Sequence, residues 1–349
     1  MSHLFSSNVI DVLAQATRGG FLRTSIILCA CLISVSLRQI TSTAHELTFR
    51  SDGEGISIFE KDHLVITYQA KAKSQNGKWK RANYLHPVIY PSGQVLTEDF
   101  PKDHPHHRGV FWAWHQTWVK DLQYGDAWAC ERFNWNVVSS KAHRNHTGIT
   151  ITNEVIWESQ PSSQPPETDE TPESHVLPIL LEKNWIHVHP MINTKRIIDI
   201  SISLTAMQEG VRIGGSENVK GYGGFSVRMA LDGSENFTSL GEPLEPKIRA
   251  IQGGAWVNVS NKEAGLTIIN DLNNPSVHQG KSDWILRRKS SMQNAAFPGR
   301  QPISIDKQKP LRLRYRLVLH NGKASNDELE AISKDFQNTS APWHHQLPE

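Results

Sequence analysis

Between Tyr84 and Trp118 the chain reads YLHPVIYPSGQVLTEDFPKDHPHHRGVFWAWHQTW, a run dense in groups that can do chemistry. It holds five histidines (His86, His104, His106, His107 and His115), three carboxylates (Glu98, Asp99 and Asp103), Arg108 and three tryptophans. Imidazole titrates near neutral pH, so a histidine beside a carboxylate can take or give a proton. His106 or His107, working with Glu98 or Asp99, are therefore the candidate catalytic groups. Arg108 could hold a carboxylate or an anionic intermediate through two parallel N–H donors. His86, His104 and His115 are candidate substrate contacts. Trp112 and Trp114 could stack on a sugar ring, although alternating tryptophans in a strand equally suit a core.

The same histidines admit a second chemistry. If the chain is extended, His104 and His106 point together and His115 arrives from the next segment, a donor set suited to copper, iron or zinc. Zinc-site spacings are not matched and no cysteine takes part, so no cofactor is favoured and a metal on His104, His106 and His115 stands as the alternative. Downstream, Gly221-Tyr-Gly-Gly224 permits close backbone approach, and Tyr222 and Arg228 could complete a pocket if this turn abuts the histidine loop. Glu217 and Asn218 just upstream are further candidates. The glycines do not form a phosphate loop, because no Lys-Ser/Thr pair follows and no helix opens after them.

The elements that must position these groups are strands. Pro101 and Pro105 exclude a helix around the histidines, Pro91-Ser-Gly93 reads as a turn, and Gly109 to Trp114 reads as a strand. The histidines thus sit on a proline-stiffened loop that feeds a strand, the kind of place where binding residues concentrate. Short β-branched and aromatic runs recur at 55–59, 64–68, 133–138, 149–157, 176–181, 185–188, 256–259, 266–269, 284–286 and 311–319. The clearest is Arg196 to Ala206, where Ile198, Ile200, Ile202 and Leu204 alternate with Asp199, Ser201 and Ser203, as in a strand with one buried face. Only the end looks helical: Ser325 and Glu328 fit a capping box, and Leu329, Ile332 and Phe336 form one stripe. The expectation is an all-β chain, one large antiparallel β-sandwich with a short C-terminal helix.

Residues 1–44 read as a leader: Arg18 and Arg23 precede the apolar run Ile26 to Val35, and Ser42-Thr-Ala44 supplies a cleavage pattern. Export to the periplasm or beyond is expected, with lipoprotein processing at Cys31 as the alternative. The domain then spans 45–349, with a polar, proline-rich and acidic insertion at about 159–174 that lacks the apolar residues to fold by itself. Without the leader the chain is near neutral, lacks the clustered basic face of a nucleic-acid binder, keeps Cys130 as its one cysteine, and has no apolar run long enough to span a bilayer. Cys130 suits a small buried residue better than a nucleophile.

The stretch NYLHPVIYPSGQVLTEDFPKDHPHHRGVFWAW, with KGYGGFSVRM later, resembles a family of exported bacterial proteins carried as "methane oxygenase PmoA-like" and as a domain of unknown function. The resemblance implies a secreted β-rich domain with the histidine loop as its signature, and its spacing continues to about Trp284. The strand pattern is also similar to the galactose-mutarotase-like supersandwich, which implies a carbohydrate ligand on a concave sheet served by His and Glu. These expectations favour a carbohydrate-active hydrolase, lyase or epimerase with a saccharide or other small molecule as ligand. A carbohydrate-binding protein without catalysis and a histidine-ligated metal-dependent oxidase are the alternatives.

Overall fold

Alternation along Lys195–Ala206 sends Ile198, Ile200, Ile202 and Leu204 to one face, and all four are fully buried. In the computed structural model, which describes residues 47–159, 176–289 and 292–344, this strand is central to the second of two nine-stranded antiparallel sheets. That sheet runs, in spatial order, Phe133–Asn145, Gly148–Ser159, Leu177–Val188, Lys195–Ala206, Leu311–Asn321, Ala264–Asn270, Trp256–Ser260, Asn236–Ser239 and Glu242–Pro243. The first sheet runs Leu47–Ser51, Gly55–Glu60, His63–Gln69, Tyr84–Val88, Val110–Ala113, Gly224–Arg228, Met292–Ala295, Lys281–Ile285 and Ile251–Gly254. Their inner faces share one core: Phe225 of the first stacks on Tyr315 of the second at 4.1 Å between ring centroids. The chain is thus an all-β sandwich, as the spacing of its apolar residues predicts. Four short strands, Ile303–Ser304, Val211–Gly214, Gln116–Val119 and Leu122–Gln123, make a smaller sheet, and Lys73–Gln75 pairs with Lys78–Arg81 in a hairpin.

The helix forms where the capping box predicts it, at Asn326–Asn338, with the Ser325 hydroxyl accepting from the Glu328 N–H and the Glu328 carboxylate accepting from the Ser325 N–H. Leu329 and Phe336 are buried against Trp256, Ile269 and Val318 on the outer face of the second sheet. The polar face of Lys195–Ala206 is consequently covered too. Asp199 receives Arg316 there, whose guanidinium also reaches Asp335 of the helix at 2.8 Å.

One strand differs from the sequence expectation for a physical reason. Apolar runs near 176–181 and 185–188 are separated in sequence by Glu182-Lys-Asn184, yet Leu177–Val188 is a single strand. Glu182 and Asn184 are fully buried between the sheets. The Glu182 carboxylate accepts from Asn83 Nδ2 (3.0 Å to each oxygen), Trp112 Nε1 (3.0 Å), Asn184 Nδ2 (2.6 Å) and Trp157 Nε1 (2.7 Å). A buried carboxylate is tolerable only with such a full set of donors, and burial still raises its pKa above the usual range. The leader, the Cys31 alternative and nearly all of the acidic insertion fall on residues outside those described. Among the described residues no helix is long and apolar enough to cross a membrane.

Replacing Glu182 by Ala leaves two indole N–H groups and the Asn83 amide N–H buried without their acceptor. Each orphan costs about 1–3 kcal/mol, so urea denaturation is expected to show a loss of more than about 3 kcal/mol; a loss below about 1 kcal/mol would contradict the assignment.

Candidate active site

The histidine loop is set by backbone bonds before any side chain acts. Glu98 N–H donates to Arg228 O, Gly109 N–H to Glu98 O, and Arg228 N–H to Gly109 O, which ties both ends of the loop to Gly224–Arg228. Gly109 has φ of 55°, and a Cβ there would stand 2.0 Å from the Leu85 carbonyl oxygen, so only glycine fits.

Arg108, the expected substrate anchor, is instead a structural staple. It is fully buried, and its guanidinium donates to both oxygens of Asp99, to the Tyr84 hydroxyl and to the carbonyls of Trp79 and Lys73. Phe100 covers it, with 3.4 Å from the guanidinium carbon to the ring centroid. Every donor is engaged inside the protein, so none remains for a ligand, and Asp99 is engaged with it. Trp112 and Trp114 likewise leave the candidate list. Both are buried in the core, Trp112 donating to Glu182 and Trp114 to the Phe297 carbonyl at 2.8 Å, because the strand turns those indoles toward the opposite sheet. His86 keeps to its own partner, with Nδ1 3.0 Å from the Thr97 hydroxyl.

The remaining candidates do meet. His104 stacks on His107 at 4.9 Å between centroids, and His106 stands edge-on to His107 at 4.5 Å. His107 packs edge-on to Trp128, and His115 stacks on the same indole, each at 5.5 Å. Tyr222 closes the group, 4.8 Å from His115 and 5.1 Å from Trp128. The glycine turn therefore does abut the histidine loop. Arg228, 3% exposed, is neutralised by Glu98 and Asp103, each at 2.7 Å, and its Nη1 lies 3.5 Å from His107 Nδ1. Glu98 serves as this counter-charge.

Asp126 and Trp128 are absent from the sequence list, since nothing in the spacing of GDAWAC marks them. Asp126 Oδ2 is 2.7 Å from His115 Nδ1, and its Oδ1 accepts from the Ala129 N–H at 2.9 Å. The carboxylate is fixed and in turn fixes the imidazole, accepting from its Nδ1–H. His115 Nε2, Trp128 Nε1 and Arg81 Nε are all buried and, among the described residues, have no hydrogen-bond partner. Arg81 donates instead to the Ala127 and Trp128 carbonyls and lies between Phe111 and Trp135.

Burial, aided by Arg81 and the neighbouring imidazoles, lowers the His106 pKa to about 4. Burial likewise holds His107 well below the usual imidazole range. Both are neutral at pH 7. Cys130 nearby has its thiol pushed up by burial, which keeps it a thiol.

His104, His106 and His115 do not form a metal-ligand set. Among the described residues no group of three or more His, Cys, Asp or Glu side chains is placed to hold an ion.

The neutral histidines link stability to pH. Unfolded imidazoles titrate near 6.5, whereas His106 and, through burial, His187 titrate at about 4 when folded. Between those values the unfolded chain binds more protons, so stability falls as pH drops through this window. The urea midpoint is expected to be lower at pH 5 than at pH 7, above the range where most carboxylates titrate, and a His106→Asn variant should lose less. Equal midpoints at the two pH values would contradict the assignment.

A comparison with the curated proteins finds no match. Among solved structures, a "putative mutarotase (YeaD)" from Salmonella typhimurium aligns over 79% of this chain and 94% of its own, at 10% identity and a TM-score of 0.35. That likeness is too slight to carry an argument about chemistry. A family model matches residues 56–334, and the chain therefore belongs to the family of unknown function DUF6807.

Proposed function

We infer that this protein is an enzyme performing acid–base chemistry on a hydroxylated, carbohydrate-like substrate, of the epimerase or lyase kind. The observation that carries the reading is the His115–Asp126 pair, whose Nε2 is unpartnered beside the unpartnered Trp128 N–H. Buried polar atoms are almost always paired, so orphans on adjacent rings suit a ligand that brings its own hydroxyls. His115 Nε2 is the base, oriented by Asp126 and kept from water by the rings around it. His107, whose Nδ1 faces the Arg228 guanidinium, carries its proton on Nε2 and supplies the donor. Substrate entry requires these covering rings, Tyr222 foremost, to shift.

Glycoside hydrolysis has less support, because it commonly needs two free carboxylates across the bond that breaks. Glu98 and Asp103 are paired with Arg228, and Asp99 with Arg108. A sugar-binding role without catalysis loses its platforms with Trp112 and Trp114 buried. Export, expected from the leader and the PmoA-like resemblance, would place this chemistry outside the cytoplasm.

The test is a screen of monosaccharides and uronates for proton exchange with solvent, epimerisation and elimination. His115→Ala and Asp126→Asn are each expected to lower kcat on the substrate found by about 100-fold or more, with the circular dichroism spectrum unchanged. Undiminished turnover in both variants would overturn the proposal.

A further inference from the structure

A cleft of about 540 Å³ opens on the outer side of the second sheet where the C-terminal helix ends. The strand Leu311–Asn321 sends Arg312, Arg314 and Arg316 to one face. Arg316 is matched by Asp199 and Asp335. Arg314 is matched by Asp271 at 2.6 Å and held by the Thr339 hydroxyl and carbonyl, yet its Nε is buried and has no partner. Arg312 is exposed at the cleft and, among the described residues, has no hydrogen bond or ion pair; its guanidinium lies 5.3 Å from the centre of the Trp343 ring. Asp271, the one carboxylate lining the cleft, is spent on Arg314 and on the Asn273 backbone and side-chain amides.

The cleft therefore carries one uncompensated positive charge in a row where each neighbour has a carboxylate. An arginine fork over an aromatic ring fits a carboxylate, with Arg314 Nε as a further donor. Around this point Asn273, Thr339 and Ser340 offer amide and hydroxyl groups suited to hydroxyls. The volume falls within the range of small-molecule sites. We propose that this cleft binds a hydroxylated carboxylate of sugar size, a uronate, with its carboxylate on Arg312. The site lies on the opposite side of the second sheet from the shared core, so it is distinct from the histidine cluster.

Isothermal titration of the full-length protein with glucuronate, glucose and acetate tests this. Glucuronate should bind, more weakly as salt is raised, and better than glucose or acetate. Arg312→Gln should weaken it at least about tenfold, and Arg312→Lys less so. Arg312 is exposed, so its variants are expected to fold, which thermal melting checks. The proposal is overturned if glucuronate gives no binding heat, if acetate binds equally well, or if Arg312→Gln binds as the parent does.

Discussion

The two large sheets meet at a carboxylate. Glu182 belongs to one, while Trp112 on the other and Asn83 just before Tyr84–Val88 point their donors at it. Tyr68 extends the network by donating to Asn83, and Asn153 by donating to Asn184. Such a group cannot slide as an apolar contact can: a small displacement of one sheet would strand a charge among indoles. Its position therefore sets the spacing and register of the sheets. Through Trp112 and Asn83 it also sets the strands that begin and end the histidine loop.

Two buried arginines carry that constraint outward. Arg108 joins the loop to Asp99, Tyr84 and the Lys73–Arg81 hairpin, and Arg81 joins the same hairpin to the Ala127–Trp128 backbone. The candidate site is thus bounded by cations that face away from it. Burial, with the charge of Arg81, keeps His106 neutral, and burial does the same for His107. Residues that look catalytic by type divide into two groups here. Arg108, Asp99, Glu98 and Arg228 satisfy one another, whereas His106, His115 and Trp128 are left with capacity to spare.

Much of the fold was legible in the chain because strands advertise themselves locally. The alternation at 196–206, the capping box at Ser325 and the proline-bounded loop each depend on neighbours in sequence, and each appears where its pattern predicts. The strand through Glu182 was not legible. Its centre breaks the apolar pattern, and donors as far as 70 and 99 residues away help make that break tolerable. The arginine row at 312, 314 and 316 likewise shows its alternation in sequence but not which members have carboxylate partners.

The candidate site divides in the same way. By itself the sequence determined where the histidines concentrate, that they stand on a loop entering a strand, and that the glycine run near Tyr222 could approach them. Only the tertiary structure decided which side chains gather around the histidines. It turned Trp112 and Trp114 inward, enclosed Arg108 and brought in Asp126 and Trp128 from a turn with no motif. The reason is physical: residue type fixes what a group can do, but burial and hydrogen-bond partners, which come from distant strands, decide whether anything remains for it to do.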